Sequence, residues 1–204
     1  MAITNGYCTA AQVRTQLGDA DSQLVDVDLE RAINAASRAV DRHCSRRFWS
    51  DATPVERTYT VHDPHAVWVD DISTTTGLII TTDDTRDGTW GTTWDADDYQ
   101  LEPLNADADE TAHAWWRIKA IGARTFPVTD HRAVLKVTAS WGWSAVPDDV
   151  AEATILKAAS LFKRREATFG VAGFGEFGAV RISRRDPDII DMLAPFVRIT
   201  LDGF

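Results

Sequence analysis

"DLERAINAASRAVDRHCSRRFW", residues 28–49, carries the most regular hydrophobic pattern in the chain. Leu29, Ile33, Ala36, Val40 and Cys44 recur at helical spacing and make one apolar stripe, so this is a helix buried along one side. Arg31, Arg38, Asp41 and Arg42 fall elsewhere on the same helix. The acidic "DVD" at 26–28 suits the positive end of the helix dipole and marks the start. Cys44 belongs to the stripe, which makes it a core residue rather than a nucleophile, in spite of His43 beside it.

Upstream, "TAAQ" at 9–12 has the form of a capping box, in which the Thr9 hydroxyl bonds the amide at Gln12 and Gln12 reaches back. Gly18 supplies the stop, so the spacing predicts a short helix over 10–17. Downstream the character changes. Between about 55 and 143 the runs "RTYTVHD", "AVWVDDI", "GLIITTD", "DYQLEP", "AWWRIKAIG" and "RAVLKVTASWGW" are rich in β-branched and aromatic residues. Asp63-Pro64 and Asp87-Gly88 read as turns between them, and the polar "NADADETA" at 105–112 as a loop.

Helix returns at "VPDDVAEATILKAASLFKRRE". Pro147 fits a first turn, Asp148 and Asp149 the N-terminus, and Lys163, Arg164 and Arg165 the C-terminus. After a glycine-rich run, "AVRIS" predicts a short strand with Val180 and Ile182 on one face. "DPDIIDML" then predicts a last helix capped by Asp186, with Pro187 in its first turn. The expected fold is α+β: a helical core from both chain ends with an inserted antiparallel β region. The expected organisation is one domain over 1–204, with N-terminal helices to 50, the β insert at 55–143, a long helix at 147–166, and an arm and final helix at 167–204.

The chain has 204 residues, 44% hydrophobic and 25% charged, which is enough for a real core. Its net charge of −10 argues against a basic DNA-gripping surface. Cys8 and Cys44 are the sole thiols, and "MAITNGYC" lacks a secretory signal's basic and apolar regions. These features predict reduced, unpaired cysteines and a cytosolic product. No apolar run approaches the ~20 residues needed to span a bilayer.

Candidate chemistry is sparse. "FGVAGFGEFGAVRISRR" at 169–185 is glycine-rich, but it follows a helix and lacks the Gly-Lys-Ser/Thr ending of a phosphate loop, so nucleotide binding is rejected. Asp83, Thr85, Asp87 and Gly88 resemble the start of a calcium loop, yet Trp94 stands where the closing carboxylate belongs, and a hairpin turn is the better account. His62 and His65 could chelate a metal in a small hydrolase, without a third ligand that the spacing supplies. No G-x-S-x-G, H-E-x-x-H or paired-cysteine motif is present, so neither an enzyme nor a cofactor is expected.

Two blocks resemble the head–tail connector (head-completion adaptor) proteins of long-tailed bacteriophages. In the first, Leu29, Ala32, Ile33, Ala35, Ala36, Ser37, Asp41, Cys44, Arg47 and Phe48 match the family's second helix, with Ser45 where glycine is usual. The second block, residues 141–196, resembles the form found in phages of actinobacteria, and "TTTGLIITTD" with "DYQLEPLNA" is similar in flavour. The resemblance implies a structural virion protein at the head–tail junction, made in the host cytoplasm. It implies a ring, typically of twelve copies, beneath the portal protein, offering a platform for stopper or tail terminator proteins. Double-stranded DNA would pass its lumen without tight binding, and no membrane is involved.

That setting gives the glycine-rich run a purpose. Phe169, Phe174 and Phe177 on a glycine-rich arm have little of their own chain to pack against, and a partner could bury each for ~2 kcal/mol. Arg181, Arg184 and Arg185 follow closely and suit carboxylates on a partner surface. These six are the candidate assembly residues. The alternative is that Phe169 and Phe174 tuck back beneath their own long helix.

Overall fold

The computed structural model describes residues 2–19, 24–108, 112–166, 171–172, 180–181 and 186–198. The chain divides into two compact units: Met1–Arg46 with Val146–Phe204, and Arg47–Ala145. The first is helical and drawn from both chain ends; the second is an antiparallel sheet, so the fold is α+β as the sequence predicts.

In the helical unit, α1 spans Ala10–Leu17, α2 Asp26–Cys44, α3 Asp148–Glu166 and α4 Pro187–Leu193. The Thr9 capping box forms as expected, and Gly18 ends α1 in the left-handed conformation at φ 75°. The predicted stripe of α2 is the buried one, with Leu29, Ile33, Ala36 and Cys44 all fully enclosed. It packs with Val13 of α1 and with Ile155, Ala158, Ala159 and Phe162 of α3. Ser45, in place of glycine, takes φ 52° at the end of α2, a strained choice that glycine would relieve. Asp186 caps α4, with Pro187 at its start. A small antiparallel ribbon, β7 (Val171–Ala172) with β8 (Val180–Arg181), precedes it. Ile182, expected to share a face with Val180, lies outside the described residues.

Residues 4–7 are tied along α2 by polar side chains one turn apart. Thr4 N–H donates to Asn34, Arg38 donates to the Asn5 carbonyl, and Tyr7 N–H donates to the Ser37 hydroxyl. The Tyr7 phenol donates to Asp41, which Arg38 also meets at 2.8 Å. Burial pushes the Asp41 carboxyl up, against the hydrogen bond from Tyr7 and the Arg38 cation.

The sheet unit contains β1 (Val55–Tyr59), β2 (Ala66–Thr82), β3 (Thr92–Thr93), β4 (Tyr99–Glu102), β5 (Trp115–Ala120) and β6 (Leu135–Trp141). Its order is β1-β6-β2-β5-β4, with β3 also on β2. "AVWVDDI" and "GLIITTD", which read as separate strands, are one 17-residue strand. Its first half pairs with β5 and its second with β6, with register shifts between Trp68 and Ile72 and between Thr74 and Ile79. Gly77 absorbs part of this irregularity at φ 75°, so the glycine marks a bulge rather than a turn. Val67, Val69, Ile72, Ile80, Ile118, Leu135, Val137 and Trp141 form the core of the sheet, and Trp94 stacks on Phe126 at 4.4 Å between ring centres.

Candidate assembly site

The residues singled out for assembly are only partly placed. Phe169, Phe174, Phe177, Arg184 and Arg185 lie outside the described residues. Arg181 is the second residue of β8 and pairs through its backbone with Val171.

On the same unit, α2, α3 and α4 enclose a groove of about 380 Å³. Its apolar wall is built by Ala39 and Val40 of α2 and by Ile189, Ile190 and Leu193 of α4. Val40, Ile189 and Leu193 are buried in the unit's own packing, whereas Ile190 is 38% exposed. Lys157 of α3 and His43 of α2 also line the groove, and Lys157 places a cation on one side of it. Lys157 has no ion-pair partner among the described residues. Asp186 is the acidic lining residue, and its carboxylate accepts the Asp188 amide at 3.1 Å as the cap of α4.

This groove was not read from the sequence, although one signal was there. Ile189 and Ile190 are adjacent on a helix, and neighbours in sequence do not share a helix face. One of the two had to remain outside the helix's own core contact.

The metal-like candidates resolve into local structure. The buried Asp83 carboxylate accepts the Asp87 and Gly88 amides at 3.2 and 2.7 Å and the Thr85 hydroxyl at 3.3 Å. It therefore organises the turn between β2 and β3. The Asp87 carboxyl is held below its usual range, first by the Thr89 side-chain hydrogen bond and then by the Thr89 amide. His62 Nδ1 lies 3.1 Å from the exposed Asp130 carboxylate, and the His65 amide donates to Asp63 in the Asp-Pro turn. Among the described residues no three His, Cys, Asp or Glu side chains are grouped to hold a metal ion.

Both thiols are buried, in the helical unit, and burial pushes each up to about 11. No described helix is long and apolar enough to cross a membrane. Charge is unevenly divided: the sheet unit, 47–145, carries 16 acidic against 8 basic side chains, hence −8 of the chain's −10.

No family profile matches this chain, and no curated protein sequence matches it. Solved structures do share its fold. A chain of the "Neck of empty GTA particle computed with C6 symmetry" is 20% identical with a TM-score of 0.56, covering 100% of this chain and 96% of that one. A chain of the "Virion of native gene transfer agent (GTA) particle" is 21% identical with a TM-score of 0.56 over the same shares. A chain of the "Neck of native GTA particle computed with C12 symmetry" is 22% identical with a TM-score of 0.51, again over 100% and 96%. The chain is thus similar in fold, along its whole length, to chains of gene transfer agent particles, two of these structures being of the particle neck.

Proposed function

We propose that this chain is a structural subunit of the neck of a phage-like particle, a head-to-tail adaptor that forms a ring beneath the portal. The observation that carries the reading is the full-length similarity of fold to chains of particle necks, both units included. The symmetries of those necks, C6 and C12, suit a chain that acts as one of a closed set of copies. The sequence resemblance to head–tail connectors reaches the same function from the residues of α2 and of 141–196. A twelve-membered ring extending the DNA channel, with stopper or tail terminator proteins on its far side, is the arrangement that joins these observations.

Charge fits the role. A conduit has to let duplex DNA slide, and an acidic protein repels phosphates rather than holding them. In this reading residues 167–185 serve as an assembly arm, with Phe169, Phe174 and Phe177 buried by a partner and Arg181, Arg184 and Arg185 meeting its carboxylates. No catalytic step is assigned to the chain.

Negative-stain imaging of the chain co-purified with its portal protein tests the reading. A ring or cap on the portal is expected. A chain that remains a single copy and leaves the portal bare would overturn it. Replacing Phe174 and Phe177 together with serine should leave subunit melting unchanged and abolish docking. If the two rings belong to the subunit's own core, the same change lowers its stability by ~3 kcal/mol or more.

A further inference from the structure

On the reading of this chain as a ring subunit, we infer that the outward face of α2 receives the aspartate-rich stretch 83–98 of a second copy.

Helical spacing builds that face. Each residue turns the helix by about 100°, so positions 31, 35, 38 and 42 fall within a band about 60° wide. They are Arg31, Ala35, Arg38 and Arg42, and the outer two stand about 16 Å apart along the axis. From Arg31 to Cys44 the exposed positions of α2 are Arg31, Ala35, Arg42 and His43, with no carboxylate among them. Arg38 is held by Asp41 and the Asn5 carbonyl. Arg31 and Arg42 make no ion pair among the described residues.

The helix itself accounts for only part of this charge. Arg42 lies in the last turn, where the dipole favours a cation, but Arg31 lies in the N-terminal half, where it does not. Arg38 and Arg42 are four residues apart, a like-charge spacing that weakens an isolated helix. Guanidinium groups beside a small alanine suit close approach by carboxylates, which they meet as a fork.

The complementary surface is on the sheet unit. Residues 83–98 hold six aspartates and one arginine, a net −5. Asp83 is occupied inside its turn and Asp98 by Arg124. Asp84, Asp87, Asp95 and Asp97 are exposed and meet no cation among the described residues. Pairing of β3 with the end of β2 keeps the four at one end of the sheet unit.

Two different surfaces of opposite charge on one chain make a head-to-tail contact, the kind that closes into a ring. The necks of similar fold have C6 and C12 symmetry. Duplex DNA, by contrast, would meet a chain of net charge −10 that repels it.

Charge reversal tests the pairing in the full-length chain. Arg31→Glu/Arg42→Glu and Asp84→Lys/Asp97→Lys should each weaken self-association by about tenfold, and combining the two sets should restore most of the loss. Thermal melting reports whether each variant folds. Arg31→Ala/Arg42→Ala, which keeps helix propensity high, should weaken association without lowering the melting temperature. Oxidising a mixture of Arg31→Cys and Asp97→Cys proteins should give a mixed disulfide dimer. A bond within the doubly substituted chain, with no mixed dimer, would seat the stripe on the chain's own sheet unit and overturn the inference. Rings that form equally well after either reversal overturn the paired surfaces and leave the ring reading standing. Loss of portal docking or of DNA binding in the arginine variants, with self-association unchanged, assigns the face to that partner and also overturns the inference. A chain that stays single, with and without the portal, overturns both.

Discussion

Gly142 lies against the backbone of Trp49: a Cβ at 142 would sit 2.0 Å from the Trp49 carbonyl oxygen. Gly142 is also at φ 117°, a region that side chains rarely adopt. The approach joins the start of the sheet unit to its end. Asp51 N–H donates to the Trp141 carbonyl at 2.8 Å, and Arg47 donates to the same oxygen at 3.0 Å. Arg47 also lies over the Trp49 ring and pairs with Asp51. Phe48 is fully buried against Trp143, whose indole N–H donates to Asp71.

Gly142→Ala should therefore cost the sheet unit about 3 kcal/mol or more, from backbone strain plus a backbone clash that no rotamer relieves. Thermal denaturation measures it. A loss below about 1 kcal/mol would mean the two segments can move apart freely.

The thiols give a pH prediction. Burial is the main cause of the raised values of both Cys8 and Cys44, from 9.0 to about 11, with Glu152 and Asp41 adding to it respectively. A folded value above the unfolded one means that the stability they contribute is complete below pH 9 and is lost as pH rises through 11. The loss amounts to about 2–3 kcal/mol per thiol. Wild type should therefore lose more stability between pH 9 and 11 than Cys8→Ala/Cys44→Ala does. Parallel pH profiles for the two proteins would contradict the burial argument.

Asp83→Ala should destabilise the sheet unit by about 3 kcal/mol, because two loop amides and a hydroxyl lose a buried acceptor. Millimolar calcium should shift the wild-type melting temperature by under about 1 °C, since the carboxylate oxygens already serve the turn. A calcium-dependent rise of several degrees that disappears in Asp83→Ala would make the loop a cation site after all.

Duplex DNA should bind weakly. With −8 on the sheet unit and −10 on the chain, affinity in a filter-binding assay at physiological salt should be weaker than micromolar. Tighter binding that falls steeply with salt would reveal a basic track and contradict the sliding role.

What the sequence determined by itself is local and periodic. The Thr9 box, Gly18, the stripe from Leu29 to Cys44, Asp186 with Pro187 and the strand runs are written in neighbouring residues, because caps and amphipathic faces obey short-range geometry. The α+β class followed from their order along the chain. Tertiary structure decided what depends on distant partners. The 66–82 run is one strand because β5 and β6 hold its two halves, a fact that its own glycine and threonines do not announce. Asp83 is a turn organiser because its oxygens meet the amides of Asp87 and Gly88, which outweighs its resemblance to a calcium ligand. Likewise, the α2–α3–α4 groove arises from residues more than a hundred positions apart, Val40 and Lys157 among them. Periodicity shows which face of a helix is buried; how completely three helices cover one another is decided by their packing.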